Sequence, residues 1–497
     1  MKKRFALTLV VNLIKALLGF VVGVFIARGL GVEEFGDYSF LLATFVSVCT
    51  VVELGTSNAF FTFISQRRRG KKFYRFYFSW VLIQAALVIS FLYFILPFSL
   101  FEKLFVGQES SVVILAYLAC FFQQQIWNII AQVCESERKT FLSQSISLAI
   151  AVVNFIGIIT LNYFGLMNIP VIFLFTISQF SIALFLFSTF LIDVKYGEDD
   201  ANYFDVTKEF YFYCLPLTFY ILIGFFYRFL DTWLLQHFGG SAEQAYFSIG
   251  NKIAAISLIF TTSLLRILWK EIAEADKSGN DTRVEMLFLY STKTLYLVGF
   301  TITGLFFPWA HELILLLLGE GFQGAVFPFA IMLLYPVHQS LGQIMGTMFY
   351  ATENTKLYSI TGVVSMLLSL IASVIVLSDG FGGLPGFKMG AIGLAGKMVL
   401  MQIISVNLGM FILAKARGWK FDWLYQLYTP ALVCVLAFLS YKTVSWFGVD
   451  SFFVEFLTYA LLYTISIGLM VLYLGKPILG FELKDYLRKF KVGGSNG

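Results

Sequence analysis

The chain has 497 residues, of which 59% are apolar and only 13% are charged, whereas a soluble protein carries about 25% charged residues. Its mean hydropathy is +0.81, and apolar runs of about 20 residues recur throughout, which predicts an all-α polytopic membrane protein. The net charge of +5 comes largely from clusters beside these runs and does not indicate nucleic-acid binding.

About fourteen stretches are long and apolar enough to span a bilayer. Segment 310–324 separates two predicted spans, although its HELILLLLGEGF stretch is itself largely apolar. No loop is long enough to bury a core of its own, so no soluble domain is predicted. The predicted spans are 7–27, 38–63, 76–97, 111–133, 141–163, 169–192, 210–236, 245–269, 288–309, 325–350, 357–378, 390–414, 428–447 and 453–475.

Lysine and arginine collect in alternate connections. If the N-terminus is inside, the inner segments hold most of these charges, including the RRRGKK run at 67–72, whereas the outer loops hold only Arg28, Lys103, Lys388 and Lys442. This asymmetry predicts that both termini are cytoplasmic. The RRRGKK run is interpreted as a topology anchor near anionic lipid, with a role in substrate binding as the alternative.

A sequence pattern returns after 208 residues. ARGLGVEEFGDYS, at 27–39, is echoed by LQHFGGSAEQAYFSIG, at 235–250, which places Gly239 on Gly31; the offset drifts to 217 near Lys139 and Lys356. Internal repeats in a membrane chain are typical of two halves related by symmetry, with the substrate path between them.

The repeat predicts two pseudo-symmetric six-helix lobes and two further parts. Residues 1–192 form the first lobe and 210–415 the second. The acidic segment 193–209 is a solvated cytoplasmic linker. Residues 416–497 add two further helices and a basic cytoplasmic tail.

Charged residues inside the predicted spans each need a reason, because a charge at membrane depth costs several kcal/mol. Arg228 and Asp231 are three residues apart, share a helix face and could pair. The cations outnumber the carboxylates, and a cavity lined by them would suit an anionic substrate such as a phosphate or diphosphate. A structural ion pair or a side chain that reaches the interface is the alternative for each one. The charged residues concerned are Lys15, Glu53, Arg228, Asp231, Lys252 and Lys397, with Lys293 expected to reach the interface.

Two amide stripes occupy equivalent spans of the two halves. Gln124, Asn128 and Gln132 recur at four-residue steps in the fourth span, and Gln339 and Gln343 do so in the tenth. Amides donate and accept hydrogen bonds as sugar hydroxyls do, which makes these residues candidates for sugar binding. Hydrogen bonding between helices is the alternative.

No enzyme signature is present in the sequence. The three histidines are scattered, and neither a P-loop nor a nucleophile elbow occurs, so we expect a protein that is not an enzyme and does not use ATP directly. The five cysteines have neither disulfide nor metal-ligand spacing and are interpreted as small core residues. No cofactor is predicted. Glu53 and Asp231 are the candidates for binding a coupling ion, H+ or Na+.

The motifs resemble one transporter family. ARGLGVEEFGDYSFLLA followed by ELGTSNAFF resembles the start of the polysaccharide flippases, the O-antigen or lipid-linked oligosaccharide translocases of the multidrug/oligosaccharidyl-lipid/polysaccharide exporter superfamily. YRFLDTWLLQHFGGSAEQAYFSIGNKIA, ATENTKLYSITG and MGAIGLAGKMV extend the resemblance to about residue 415. Ala351, the first residue of ATENTK, stands where the family usually has a glycine.

The resemblance implies a MATE-like fold with two six-helix lobes in a V shape. It implies ion-coupled alternating access that moves an undecaprenyl-diphosphate-linked sugar repeat across the bacterial inner membrane, from the cytoplasmic to the periplasmic leaflet. Membrane lipid and other polysaccharide-assembly proteins are the implied partners, and lipopolysaccharide or O-antigen biosynthesis is the implied process.

Two other functions remain open at this point. A drug or cation exporter of the same superfamily should have a cavity dominated by carboxylates, whereas the charges here lean cationic. A membrane glycosyltransferase or polymerase usually needs a long outer loop, and none is predicted.

Overall fold

The computed structural model describes residues 2–190, 196–197, 202–380, 383, 385–448 and 451–480. This part of the chain contains helices and no strand. The predicted linker residues Asp193, Lys195, Glu198, Asp199 and Asp200, and the basic tail beyond 480, lie outside the described residues.

The helices follow the apolar runs of the sequence. They are α1 Lys2–Glu53, α2 Thr56–Gln66, α3 Lys71–Ser90, α4 Phe98–Phe105, α5 Ser110–Cys120, α6 Trp127–Ser136, α7 Thr140–Tyr163, α8 Ile169–Phe190, α9 Tyr203–Leu234, α10 Gly240–Lys277, α11 Asp281–Phe306, α12 Ala310–Leu318, α13 Val326–Met332, α14 Tyr335–Ala351, α15 Thr355–Leu377, α16 Gly390–Arg417, α17 Tyr425–Trp446 and α18 Phe452–Leu479.

Among the described residues, twelve continuous helical runs are long and apolar enough to cross a membrane, and the chain is a multi-pass membrane protein. Two of these runs, Val10–Glu53 and Tyr203–Lys252, have 44 and 50 residues. At 1.5 Å per residue they are about 66 and 75 Å long, more than twice the apolar thickness of a bilayer.

Each of these long runs is interrupted by one glycine with the same unusual backbone. Gly31 has φ 74° and ψ −179°, and Gly240 has φ 84° and ψ 179°. Only glycine adopts this region without steric cost, so both positions end one helical segment and start another. By this backbone geometry, Gly240 is the equivalent of Gly31. The sequence alignment of Gly31 with Gly239 was therefore wrong by one residue. A π-helical turn over Leu235–Gly239 adds the extra residue before the break.

A second pair of turns has matching geometry. Arg138 and Glu353 both have positive φ, 59° and 57°, and each turn is closed by the same three backbone hydrogen bonds. The offset is 215 residues, so the sequence alignment of Lys139 with Lys356, at 217, was wrong by two. In the first turn, the N–H groups of Glu137, Arg138 and Lys139 donate to the oxygens of Val133, Glu135 and Cys134, respectively. In the second, the N–H groups of Thr352, Glu353 and Asn354 donate to the oxygens of Met348, Tyr350 and Phe349, respectively.

Segment 310–324 is not one span or loop but a series of short helices. α12 ends at Leu318, Gly319 follows it, and a 3-10 turn over Glu320–Ala325 leads into α13. Pro336, which falls in the middle of the predicted span 325–350, lies at the start of α14, where its missing N–H costs nothing. Pro216 does lie inside α9.

The chain divides into two compact units. Unit 1 comprises residues 1–248 and 366–394, and unit 2 comprises 249–365 and 395–497. In unit 1, Phe60 stacks on Tyr77, with ring centroids 4.1 Å apart. In unit 2, α11, α14, α17 and α18 share an apolar core. The predicted division into 1–192, 193–209, 210–415 and 416–497 stays a prediction.

Four of the five cysteines are buried, as expected for core residues, whereas Cys434 is exposed. Long apolar side chains elsewhere on the outside of the helices are exposed, which is the surface that a lipid-facing protein presents.

Candidate functional site: charged and amide side chains of the membrane helices

Asp231 is held by a hydroxyl. Its carboxylate lies on α9, is 9% exposed, and accepts a hydrogen bond from Ser373 Oγ of α15. Other neighbouring groups also engage it. Ser373 was not singled out in the sequence, because a serine in an apolar helix more often bonds to its own backbone.

Arg228, one turn before Asp231, has an exposed side chain. The ion pairs found within the described residues do not include it. The pairing with Asp231 that the sequence suggested is therefore not found among the described ion pairs.

The other predicted cations differ in exposure. Lys15 on α1 is half-buried and Lys252 on α10 is exposed, while Lys397 on α16 is 4% exposed. Neighbouring groups engage both Lys252 and Lys397. Lys15 and Arg228 belong to unit 1, and Lys252 and Lys397 belong to unit 2; that all four line one cavity stays a prediction.

Glu53 is the last residue of α1. The helix stops there because Leu54 and Gly55 both have positive φ, 47° and 82°, and α2 starts at Thr56. The Thr56 hydroxyl donates to the Glu53 backbone oxygen at 2.8 Å. The Glu53 carboxylate is half-buried. A helix broken within the membrane exposes backbone polar groups, so neighbouring side chains must satisfy them.

The first amide stripe is used at this break. Asn128 Nδ2 and Gln132 Nε2 both donate to Ser57 Oγ, at 3.1 and 3.0 Å. Gln124 is exposed. Asn128 and Gln132 therefore make the hydrogen bonds between helices that were the alternative interpretation of the stripe. Sugar binding by Gln124, Asn128 and Gln132 stays a prediction.

Two further glutamines brace the same break and were missed in the sequence. Gln84 Nε2 of α3 donates to the Val52 oxygen at 2.9 Å, and Gln125 Nε2 donates to the Cys49 oxygen at 3.4 Å. Both side chains are 2% exposed. Gln84 is a lone amide inside an apolar run, which is the signal that could have identified it.

The second amide stripe lies on α14 in unit 2. Gln339 and Gln343 are half-buried. The Gln343 backbone oxygen accepts a hydrogen bond from Thr347 Oγ1 at 2.8 Å. This hydrogen bond lies within α14, whereas those of Asn128 and Gln132 in the first stripe join two helices.

The two copies of the repeated motif contact each other in unit 1. Asp37 Oδ1 accepts hydrogen bonds from Ser241 Oγ at 2.5 Å and from Gln236 Nε2 at 2.8 Å. A Cβ on Gly36 would lie 1.8 Å from the Ser241 backbone oxygen, so only glycine permits this approach. Glu243 also accepts from the Ala391 N–H, the start of α16, at 2.5 Å.

Arg69 in the RRRGKK run is a structural residue. It is 7% exposed, pairs with Glu209 at 3.0 Å, and lies over the Phe63 and Phe73 rings at 5.3 and 4.8 Å. Burial lowers the pKa of its guanidinium and Glu209 opposes that shift. Arg69 is thus held by protein groups, while Arg67 and Arg68 are exposed. The topology-anchor interpretation of the run stays a prediction.

Lys293 is held by protein groups, and its expected reach to the membrane interface stays a prediction. It is 7% exposed, pairs with Asp422 at 2.7 Å and lies over the Tyr425 ring. The pair joins α11 to the segment before α17, so Lys293 anchors a helix rather than binding a ligand.

The fold matches solved transporter structures. The lipid II flippase MurJ in an inward closed conformation matches with a TM-score of 0.68 and 15% identity, over 93% of this chain and 98% of that one. An inward-facing multidrug resistance MATE family transporter of the MOP superfamily matches with a TM-score of 0.62 and 16% identity, over 82% and 96%. An outward-facing structure of a multidrug resistance MATE family transporter of the MOP superfamily matches with a TM-score of 0.54 and 14% identity, over 84% of this chain and 95% of that one. No curated protein sequence matches the chain significantly.

These observations define a class: an all-helical, multi-pass membrane protein with the fold of the MOP-superfamily transporters. A match to a protein-family model identifies the family within this class. The model of the polysaccharide biosynthesis protein family matches residues 1–268, more than half of the sequence, and the chain belongs to that family.

Proposed function

We propose that the chain is a flippase that moves undecaprenyl-diphosphate-linked oligosaccharide repeat units across the bacterial inner membrane by ion-coupled alternating access. The family membership supports a role in polysaccharide biosynthesis. A structural relative, MurJ, is a lipid II flippase, so this fold is compatible with a lipid-linked substrate.

The observation that carries the proposal is the exposed guanidinium of Arg228 in a membrane helix. A charge at that depth is costly unless a counter-ion or water meets it. A diphosphate supplies two anionic groups and accepts bidentate hydrogen bonds from the guanidinium fork. Lys15, Lys252 and Lys397 add positive charge in this proposal, and Gln124, Gln339 and Gln343 contact sugar hydroxyls.

Ion coupling is assigned to Glu53 and Asp231, the carboxylates of the membrane helices. Asp231 already has a hydroxyl ligand in Ser373, and Glu53 lies at a helix break. A carboxylate that binds H+ or Na+ in one state and releases it in another biases the two states through differential affinity.

The topology that this function requires has fourteen crossings and cytoplasmic termini. The two double-length runs each break at a glycine, Gly31 and Gly240, so the twelve runs give fourteen crossings if each folds back there. Reporter fusions after Lys103, Lys388 and Lys442 should score outside, and fusions after Lys72 and Lys420 inside. A reversed pattern at two or more of these sites would reject the topology.

Complementation tests the function. In a strain that lacks its polysaccharide flippase but makes the matching sugar repeat, the wild-type chain should restore surface polysaccharide. Drug resistance without polysaccharide would favour an exporter of the same superfamily. Polysaccharide of altered chain length, with normal translocation, would favour a polymerase.

A further inference from the structure

Within unit 1, α9 is joined to the helices that precede it at both of its ends, by contacts of different chemistry. Near the start of α9, Phe210 is 7% exposed and packs against the rings of Phe63 and Tyr77, with centroids 5.3 and 5.8 Å away. An aromatic side chain buries about 150–250 Å², and separating these rings would expose part of that area. The contact at this end is therefore costly to open.

At the other end of α9, the contact is centred on one carboxylate. Asp37 Oδ1 accepts hydrogen bonds from Ser241 Oγ and Gln236 Nε2, at 2.5 and 2.8 Å. Gln236 Nε2 also donates to Ser241 Oγ at 3.0 Å. The three side chains form a closed triangle that ties α1 to the end of α9 and the first turn of α10. Gln236 is 1% exposed, so water reaches its side chain only when its surroundings move.

Backbone atoms meet at the same place. A Cβ on Gly36 would lie 1.8 Å from the backbone oxygen of Ser241 and 2.5 Å from its carbonyl carbon. Side-chain atoms do not come so close to a backbone, so the approach of α1 to the first turn of α10 depends on glycine here. A Cβ on Gly23, earlier in α1, would instead meet no atom of the described residues within 4 Å.

Both partners of the carboxylate contact lie close to a glycine that breaks a helix. Ser241 directly follows Gly240, and Asp37 lies in the segment that starts at Gly31. A few residues at the end of an element are enough to absorb the backbone rotation of a conformational change. Hydrogen bonds between polar side chains are exchanged for bonds to water at a small net cost. This contact is therefore easier to separate than the one around Phe210.

We propose that the triangle of Asp37, Gln236 and Ser241 is a latch that closes the outer side of the transport path and releases when the path opens outward, while the Phe210 contact stays closed. The inference rests on the proposed function and on the predicted topology, which places this end of α9 outside. The latch has a mechanical consequence. Glu243, in the same turn of α10, accepts from the Ala391 N–H, so movement of this turn carries the start of α16 with it.

The first experiment measures opening of the latch without substrate. The reporter is Gln236→Cys, which keeps the bond between Asp37 and Ser241. Cys434→Ser removes the exposed native cysteine, and the other four are buried. The rate of alkylation by a charged, water-soluble maleimide is measured on the purified full-length chain in lipid nanodiscs. Gly36→Ala should raise this rate at least about tenfold, because the added Cβ shifts the population toward the open latch.

Gly23→Ala in the same background is the matched control, because its Cβ enters open space, and its rate should equal that of the reporter alone. Melting curves check that each variant is folded. If Gly36→Ala does not fold, Asp37→Ala decides, since it removes the shared acceptor without adding bulk and should also raise the rate. Unchanged alkylation in the folded latch variants, or an equal rise in Gly23→Ala, would overturn the proposal.

The second experiment links the latch covalently and measures transport in proteoliposomes. An oxidised Asp37→Cys, Ser241→Cys pair should stop translocation of the lipid-linked oligosaccharide, and a reductant should restore it. The control pair is Thr62→Cys, Tyr213→Cys, where the two hydroxyls lie 3.3 Å apart beside the Phe210 contact; its link should leave translocation intact. Translocation through the linked latch, or equal inactivation by both links, would overturn the proposal. If the wild type itself does not translocate, the proposed function fails, and the maleimide rates still decide whether the latch opens.

Discussion

Arg69 lies in the basic RRRGKK run between α2 and α3, and Arg228 lies within the apolar helix α9; the surroundings of the two arginines differ in the opposite way from what these positions suggest. Arg69 is enclosed: it has an acidic partner and two aromatic rings, and only 7% of its side chain is exposed. Arg228 is exposed and the described ion pairs do not include it. The partners of Arg69 show that this arginine contributes to the fold, whereas for the exposed Arg228 of a membrane helix we propose a ligand as the partner.

The largest effect is expected at Arg228. Arg228→Ala should reduce transport by at least about tenfold, because a bidentate contact to the diphosphate would be lost. The measurement is surface polysaccharide in the complementation strain, with protein level determined in parallel. Arg228→Lys should retain part of the activity, since charge remains but the planar fork is lost. Normal polysaccharide from Arg228→Ala at ordinary expression would contradict the ligand role.

Arg69→Ala should instead lower stability. We expect a loss of about 1–2 kcal/mol, less than for a fully buried pair because Glu209 is 37% exposed, with transport per folded molecule unchanged. Thermal unfolding of the purified protein measures it. Reduced transport at unchanged melting temperature would place Arg69 in the transport path and remove the contrast with Arg228.

A smaller effect is expected when Asn128 of the first amide stripe is replaced. Asn128→Leu removes one hydrogen bond to Ser57, which Gln132 still binds, so stability should fall by about 1 kcal/mol. Transport per folded molecule should be nearly normal. A selective loss of transport, with the melting temperature of the wild type, would return Asn128 to the substrate site.

The smallest effect is expected at Arg67, the matched control for Arg69. Arg67 contacts the same Glu209 at 3.6 Å, but 58% of its side chain is exposed. Exposed pairs contribute little, so Arg67→Ala should leave the melting temperature within about 1 °C of the wild type. A shift as large as that of Arg69→Ala would mean that burial does not decide between the two arginines.

The helix pattern and the repeated motifs could be predicted from the sequence, because a bilayer demands apolar runs of fixed length and glycine marks the breaks. The exact partners could not. Gly240 rather than Gly239 forms the break because a wide turn before it adds one residue, and no periodicity in the sequence signals such a turn. Pro336 begins a helix because α13 ends just before it, within a segment that reads as one apolar run.

The site was only partly predictable, for a related reason. Asp231 and Glu53 stand out as charges in apolar spans. Their surroundings come from other helices: Ser373 of α15 donates to Asp231, and Gln84 of α3 donates to the Val52 oxygen beside Glu53. Such contacts depend on which helix faces pack together. Lys293 illustrates the converse: its pairing with Asp422 joins residues 129 positions apart, so the sequence could suggest only that it reaches the interface.

Direct translocation in proteoliposomes tests the central claim. Purified wild-type chain and Arg228→Ala are reconstituted with an undecaprenyl-diphosphate-linked oligosaccharide, and an impermeant reagent measures the share of sugar in the outer leaflet while an ion gradient is imposed. The account predicts gradient-dependent movement by the wild type and at least about tenfold slower movement by Arg228→Ala, with equal amounts of folded protein. Equal rates for the two proteins, or no movement by the wild type, would contradict it.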